Sequence, residues 1–401
     1  MRSKVALARS GVRGIRLGWA GAASARSEHT LDTAERPKVR NFLSDRGRVG
    51  RAVGWVLLVC AVVGTVLLGL SPSPYGVERP GPVYDVLGKT EVNGKSVPLI
   101  DIPSQKTYPT TGTLDMLTVY VDGSPEDKVS WIELAGSWFD PSRAAVPLDE
   151  LFPAGQTEDQ SNAESAIDMT NSQQDATAAA LSLLKIDYQS TVVVAQVIKD
   201  TPAAGKLKAG DALVTVNGEP VTGLTMLQQA IIANGVSKPV ELVVTRDGTQ
   251  KTLEITPIIN ADSKKPAIGI YTGSTFTFPF DVKIQLQDVG GPSAGMMLAL
   301  GIYDKLTPGD LAGHAHIAGT GTIDPSGAVG AIGGIRQKMY GARNDGASWF
   351  LAPASNCNEV VGHIPSGLTV FAVKTLDDSL ADVQAIASGA DTSQLASCSR
   401  P

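Results

Sequence analysis

The sequence predicts an α+β protein in which a small β-rich module is inserted into a larger mixed domain, the whole preceded by one transmembrane helix. Three observations predict it. Val53 to Leu70 is a run of eighteen residues without a charge, just long enough to cross a bilayer. Between Thr191 and Ile255, short β-branched runs alternate with Gly, Asp and Asn turns around one helical stretch, which is the pattern of a compact β-rich unit. From Asp281 to Lys338 a strand, a glycine turn and two helices with buried faces follow one another.

The 401 residues are 43% hydrophobic and 18% charged, enough material for two domains. Charge is unevenly spread. Residues 1–51 hold twelve basic and four acidic side chains within a net charge of −6, so this arm stands at +8 and the remainder at −14. The arm is rich in Arg, Ser and Gly and lacks apolar periodicity, so it reads as disordered. Residues 52–70 read as the spanning helix. Arg46, Arg48 and Arg51 precede it, and Ser71 to Pro74 follow without a lysine. The positive-inside rule then puts the arm in the cytoplasm and everything after Tyr75 outside the cytoplasmic membrane. A cleaved signal peptide fits less well: leader and apolar core are both long, and no Ala-x-Ala follows Leu70. Topology accounts for the basic arm without invoking nucleic acid.

Cys60 lies inside the span, and an outside compartment allows Cys357 and Cys398 to pair, fastening a tail at residues 391–401. His29, His314, His316 and His363 carry no His-Glu-x-x-His spacing and no Cys-x-x-Cys accompanies them. The pattern therefore calls for no metal and no cofactor.

Residues 75–185 read as the first part of the larger domain. They give Pro- and Gly-rich irregular strands to 110, a strand within Thr111 to Val121, and a helix of about five turns ending near Lys185. Residues 186–257 form the module: strands at Thr191–Val197, within Leu207–Gly218, at Val240–Thr245 and Gln250–Ile255, and a helix from Thr225 to Asn234. Residues 258–390 return to the larger domain. The alternating Asp281–Leu286 reads as a strand, Trp349–Pro353 and Leu368–Val373 as two more, and Asp377–Ser388 as a closing helix.

The chemistry concentrates in that last part. Gly290 and Gly291 permit a tight turn, Pro292 suits a first helical position, and Ser293 opens the apolar run to Leu300. Ser293 thus lies beside free amides at a helix start, where an oxyanion is stabilised. Alone, it reads more readily as a serine capping a buried helix. From Gly334 to Asn344 a helix places Ile335, Met339 and Ala342 on one stripe with Lys338 on its flank, while Arg336, Gln337, Tyr340 and Arg343 point elsewhere. A desolvated lysine loses its charge and becomes a base suited to a serine; one that snorkels to water does not. The two anomalies together favour a Ser-Lys dyad.

Gly291-Pro-Ser-Ala-Gly295, Gly319-Thr-Gly-Thr-Ile323, Gly327-Ala-Val-Gly330 and Ile332-Gly-Gly-Ile-Arg-Gln-Lys338 resemble the proteolytic domain of Lon-type proteases. By position, the resemblance implies Ser293 as nucleophile, Lys338 as base, Thr320 in support, and an oxyanion site at Gly290, Gly291 and Ser293. It also implies a homo-hexamer. The sequence departs at Gly290, where the family carries aspartate; Asp288 stands two residues earlier. The module resembles bacterial PDZ domains through Ala209-Gly-Asp-Ala-Leu-Val-Thr-Val-Asn-Gly218. That resemblance implies a groove for a peptide C-terminus between Thr191, Val192 and Val193 on one side and Leu227 and Ile231 on the other. Tyr188-Gln-Ser-Thr191 stands where the family's carboxylate loop is sought.

The implied function is an ATP-independent serine endopeptidase, anchored in the membrane and acting on unstructured or exposed protein segments outside. No Gly-x-x-x-x-Gly-Lys-Ser/Thr loop occurs in the chain. The alternative is a non-catalytic PDZ scaffold of the cell envelope, for which neither Ser293 nor Lys338 is needed. A histidine base, His314 or His316, working on another serine ranks last, because no Gly-x-Ser-x-Gly elbow supports a serine other than Ser293.

Overall fold

The computed structural model describes residues 42–398 apart from 154, 262 and 288; the arm up to residue 41, Asp288 and the last three residues lie outside the described residues. Helix α1 (Phe42–Leu70) starts ten residues ahead of the expected boundary at 52, entering the basic arm. No proline interrupts the chain between Phe42 and Leu70. Its stretch Arg51–Leu70 is long and apolar enough to cross a membrane, and none of it is buried. The chain divides into two compact units at Val62, within this helix.

Strands β1 (Tyr75–Asp85) and β2 (Thr113–Asp122) pair antiparallel, with a bulge between Pro80 and Val83 where two prolines remove ladder donors. Helix α2 (Trp131–Ser137) precedes β3 (Ala144–Pro147), which pairs with the start of β1. Helix α3 (Glu158–Leu183) has 26 residues, longer than the expected five turns. Thr157 and Gln160 close a reciprocal capping box that starts the helix early. Its first half is polar because it faces water; burial begins at Met169.

The inserted module follows: β4 (Gln189–Val197), β5 (Ala212–Val216), α4 (Leu224–Asn234), β6 (Val240–Arg246), β7 (Thr249–Ile255) and β8 (Ile270–Thr277). The sheet runs β7-β6-β5-β4-β8, with Glu219–Pro220 added beside β5. Buried Asp211 accepts the Arg246 guanidinium at 2.5 and 2.6 Å and the Lys208 amide at 2.8 Å. Arg246 and that amide hold its carboxyl below the usual range. This pairing explains the Ala-Gly-Asp core of the module. At the crossing between module and larger domain, Tyr188 meets Phe276 and Phe278, whose rings stack at 5.6 Å.

The chain then returns through α5 (Gly295–Leu306), β9 (His316–Gly319), α6 (Ile335–Asp345), β10 (Trp349–Pro353), β11 (Thr369–Val373) and α7 (Leu376–Ala387). The larger sheet has the order β11-β10-β9-β2-β1-β3, its four strands β11 to β2 running parallel and β1 reversing the direction. Three of its strands precede the module and three follow it, so the module is an insertion. Every residue from Gly295 to Ile302 is buried, between the sheet, α3 and α7. Of the expected strand Asp281–Leu286, only Lys283–Ile284 pairs, against Ile100–Asp101. Cys357 and Cys398 form a disulfide, and Ala396 and Ser397 lie along β11 beside it.

Replacing Thr157 by Ala removes the α3 cap and is expected to lower unfolding stability by about 1 kcal/mol, read by chemical denaturation.

Candidate active site

Three side chains from three segments of the chain meet beside the inner strands of the larger sheet. Ser293 ends the glycine turn, two residues ahead of α5 rather than within it. Lys338 comes from the second turn of α6, and Thr320 follows β9. Lys338 Nζ donates to Ser293 Oγ at 2.7 Å and to Thr320 Oγ1 at 3.1 Å. Thr320 Oγ1 in turn donates to the Ser293 carbonyl at 3.0 Å, and the Gly321 amide reaches the same carbonyl at 2.9 Å. The backbone of the serine is thereby fixed relative to the amine.

Helix α6 can approach this closely because of how it begins. Gly334 is left-handed (φ +65°), and a Cβ there would stand 2.7 Å from a Val119 methyl of β2. Only glycine enters the helix at that angle and distance. Ile335, Met339 and Ala342 then pack inward as their spacing predicts. Gln337 departs from expectation: it is buried, and its side-chain nitrogen has no partner among the described residues.

Lys338 is 3% exposed. Burial lowers its pKa from 10.5 to about 7, and the charge of Glu78 on β1 acts weakly the other way. Burial raises the Glu78 carboxyl, and Lys338 opposes that rise. Glu78 shares a cleft of about 690 Å³ with Ser293 and Lys338, the remainder of its wall including Tyr84, Met116, Met169 and Gly291. Sequence reasoning missed this carboxylate. It sits in a Pro- and Gly-rich segment whose local pattern gives no hint of a partner 260 residues away.

The oxyanion residues divide. The Gly291 amide already donates to Ser165 O of α3 at 2.8 Å, so it is not available as expected. The amides of Gly290 and Ser293 have no acceptor among the described residues. Gly290 also has a reason to be glycine where Lon-type proteases carry aspartate: a Cβ there would lie 2.7 Å from Ser165 Cβ.

The peptide-binding expectation needs correcting on one side. Strand β4, carrying Thr191, Val192 and Val193, has no free edge for an added strand. It pairs with β8 along its length and with β5 at Val193. Leu227 and Ile231 do line a cleft of about 440 Å³, but its opposite wall is Pro266 to Thr272, at the start of β8. Gly269, left-handed at φ +84°, turns the chain into that strand.

His316 lies apart from the cleft that holds Ser293 and Lys338. Its Nε2 meets Asp115 of β2 and stands 3.7 Å from Asp345 at the end of α6. These three are the one His-carboxylate cluster of metal-ligand type among the described residues. Burial pushes the Asp115 carboxyl up to about 6 against the pull of His316. The arrangement reads as a buried acid satisfied by a histidine ring nitrogen. His314 precedes β9 in a loop.

Comparison with known proteins places the same two regions. Residues 166–256 match the PDZ domain family, a match that ends before β8 completes the sheet. Residues 287–385 match the Lon protease (S16) C-terminal proteolytic domain. The Lon protease of Lachnoclostridium phytofermentans is 36% identical over 93 residues, covering 22% of this chain and 11% of that protein. The Lon protease of Helicobacter pylori strain J99 is 27% identical over 205 residues, covering 49% and 24%. The chain thus spans less than a quarter of the length of these relatives. Among solved structures, the PDZ domain of an SdrC-like protein from Listeria monocytogenes is 25% identical at a TM-score of 0.20, covering 20% of this chain and 85% of that one.

The sign of the Lys338 shift fixes two pH dependences. From about pH 7 to 10.5 the unfolded chain keeps a proton that the folded chain has released, so stability rises with pH across that window. Lys338→Met is expected to flatten this rise in denaturant melts taken across the window. A base acting as the free amine is expected to give kcat/KM that climbs through about pH 7 and then levels.

Proposed function

We propose that this chain, which carries a PDZ domain and a Lon-type C-terminal proteolytic domain, is a serine endopeptidase with Ser293 as nucleophile and Lys338 as base. One observation carries the reading: a buried amine with its pKa near neutrality stands 2.7 Å from a serine hydroxyl at the wall of a cleft. In the neutral amine the hydrogen bond runs from Ser293 O–H to the Nζ lone pair. As Ser293 Oγ attacks the scissile carbonyl, Nζ takes the proton. The Gly290 and Ser293 amides receive the oxyanion, and Nζ returns the proton to the departing amine. Water, deprotonated by the same amine, then releases the acyl group from Ser293. Thr320 keeps the amine on the hydroxyl throughout.

The cleft supports an extended polypeptide as substrate. Strand β9 pairs with β2 only as far as Met116, which leaves the edge of β2 beyond it facing the serine. A second cleft of about 900 Å³ continues past Val119, Tyr120, Val121, Ser165 and Gly290. An unfolded segment laid against that edge gains backbone hydrogen bonds without regard to its sequence. We read the enzyme as ATP-independent, since the chain lacks a phosphate-binding loop. We also read it as membrane-anchored through Arg51–Leu70 with the catalytic domain outside. In this reading the α4–β8 groove holds the C-terminus of a protein substrate or partner, and a homo-hexamer is the assembly that the Lon resemblance implies.

Full-length protein in detergent, without nucleotide, is expected to cleave casein. Ser293→Ala and Lys338→Ala are each expected to lose about 1,000-fold or more in kcat. Full activity in Lys338→Ala at neutral pH rejects the dyad. Leu224→Glu, at the rim of the α4–β8 groove, is expected to weaken binding of peptides with apolar C-termini about tenfold or more, followed by fluorescence anisotropy, with casein cleavage unchanged.

A further inference from the structure

Among the described residues, the most exposed aromatic side chains beyond the apolar helix are Trp138 and Phe139, at 71% and 89%, and Ile132 on the same short helix α2 is 44% exposed. A soluble surface rarely presents a Trp-Phe pair so fully to water. The opposite face of α2 is well anchored: Leu134 and Ser137 are buried, Leu134 packing with Val77 and Val129. Ser130 caps the helix through the Glu133 amide, and Trp131 meets the Tyr75 ring edge-on. The exposed residues are therefore presented by a fixed element.

Its position in the chain identifies what covers it. The apolar run ends at Leu70, and Ser71 donates back to Leu67 O through both its amide and its hydroxyl. The next residues pair directly with the entrance to α2. The Trp131 amide donates to Ser71 O, the Ser73 amide donates to Val129 O, and Pro72 bridges Ser130. Seven residues of helix extend about 10 Å, so an α2 that lies along the surface holds Trp138 and Phe139 at headgroup level beside the point where the span leaves the bilayer. Aromatic rings are favoured in that layer. The neighbouring charges are mixed, Glu126, Asp127, Lys128 and Glu133 among them, so attraction to anionic lipid is not the driving term.

We propose that α2 and its aromatic tip, Ile132, Trp138 and Phe139, form a second membrane contact, seated in the headgroup layer of the outer leaflet beside the end of the span. The inference rests on the membrane-anchored reading and adds a fixed posture to it. It also reaches the catalytic helix. Arg336 Nε of α6 donates to Pro141 O, two residues beyond Phe139, at 2.9 Å, and Lys338 lies two residues further along that helix.

The test uses the full chain in phosphatidylcholine vesicles, some of whose lipid carries a spin label, near the headgroup end of the acyl chain in one set to reach position 136 and near its methyl end in another to reach position 60. One preparation carries an environment-sensitive dye on native Cys60, the free cysteine within the span. A second is Cys60→Ser with Gly136→Cys, a position on α2 with open space around it that leaves both aromatics intact. A third is Cys60→Ser with Gln250→Cys, on the exposed hairpin of the inserted module. The dye at 136 is expected to shift its emission to the blue and lose most of its fluorescence to the spin label, with little effect of salt, while the dye at 250 does neither. Adding Trp138→Ser and Phe139→Ser is expected to return the dye at 136 to the behaviour seen at 250. Quenching at 60 without quenching at 136 overturns this inference and leaves the membrane anchor standing. No quenching at 60 overturns both. A dye at 136 that is shielded from lipid, together with an unlabelled Gly136→Cys variant whose thiol an added oxidant joins to that of a second copy as a disulfide, assigns the patch to a protein contact instead and rejects the proposal.

Discussion

Burying one lysine amine without a matched counter-charge is the constraint around which this molecule is arranged. A charged ammonium taken out of water costs several kcal/mol unless it is paired, and among the described residues Lys338 has only hydroxyls within hydrogen-bond reach. The folded chain meets the cost by letting the amine lose its proton, and the pKa falls to about 7. That solution requires the amine to stay dry and requires donors and acceptors suited to a neutral amine. Both requirements fall on neighbours. Gly334 lets α6 press against β2, the buried α5 fixes the turn beneath, and Thr320 joins the amine to the Ser293 carbonyl. Burial sets the shift and the Glu78 carboxylate opposes it, and a pKa of about 7 is where a base works best.

The inserted module is attached at the same place. Helix α3, which leads into it, accepts the Gly291 amide at Ser165 and sends the Ser172 hydroxyl to Pro292 O at 2.9 Å. Strand β8, which leaves it, forms the groove wall at its start and runs on to the catalytic turn within some fifteen residues. Tyr188, set edge-on and tilted against the stacked rings of Phe276 and Phe278, holds those two crossings together. An occupant of the groove therefore bears on an element only a short stretch of chain away from Ser293.

What was legible in the sequence follows from whether a feature is local. Ser293 and Lys338 each stand inside a short motif whose glycines and apolar spacing declare the backbone, and the pair is brought together by elements those motifs define. The α-helix from Glu158 was underestimated because its first turns carry no apolar stripe; the capping pair Thr157 and Gln160 was the available signal. Strand pairing was not legible. Nothing in the alternation of Thr191–Val197 reveals that residues 270–277 will cover its edge, so the groove was placed one strand away. The availability of the Gly291 amide and the approach of Glu78 likewise depend on segments more than a hundred residues distant, Ser165 and Lys338. Burial of Gln337 opposes its side-chain chemistry and has no account in the helix pattern.

The most direct test of the neutral amine is its own titration. In full-length protein labelled with ¹⁵N at lysine Nζ, the Lys338 resonance, identified by its loss in Lys338→Arg, would be followed by NMR as pH is raised. The account predicts a midpoint near 7, well apart from the exposed lysines. A midpoint above 10 would show a charged amine beside Ser293 and would contradict the dyad as the catalytic base.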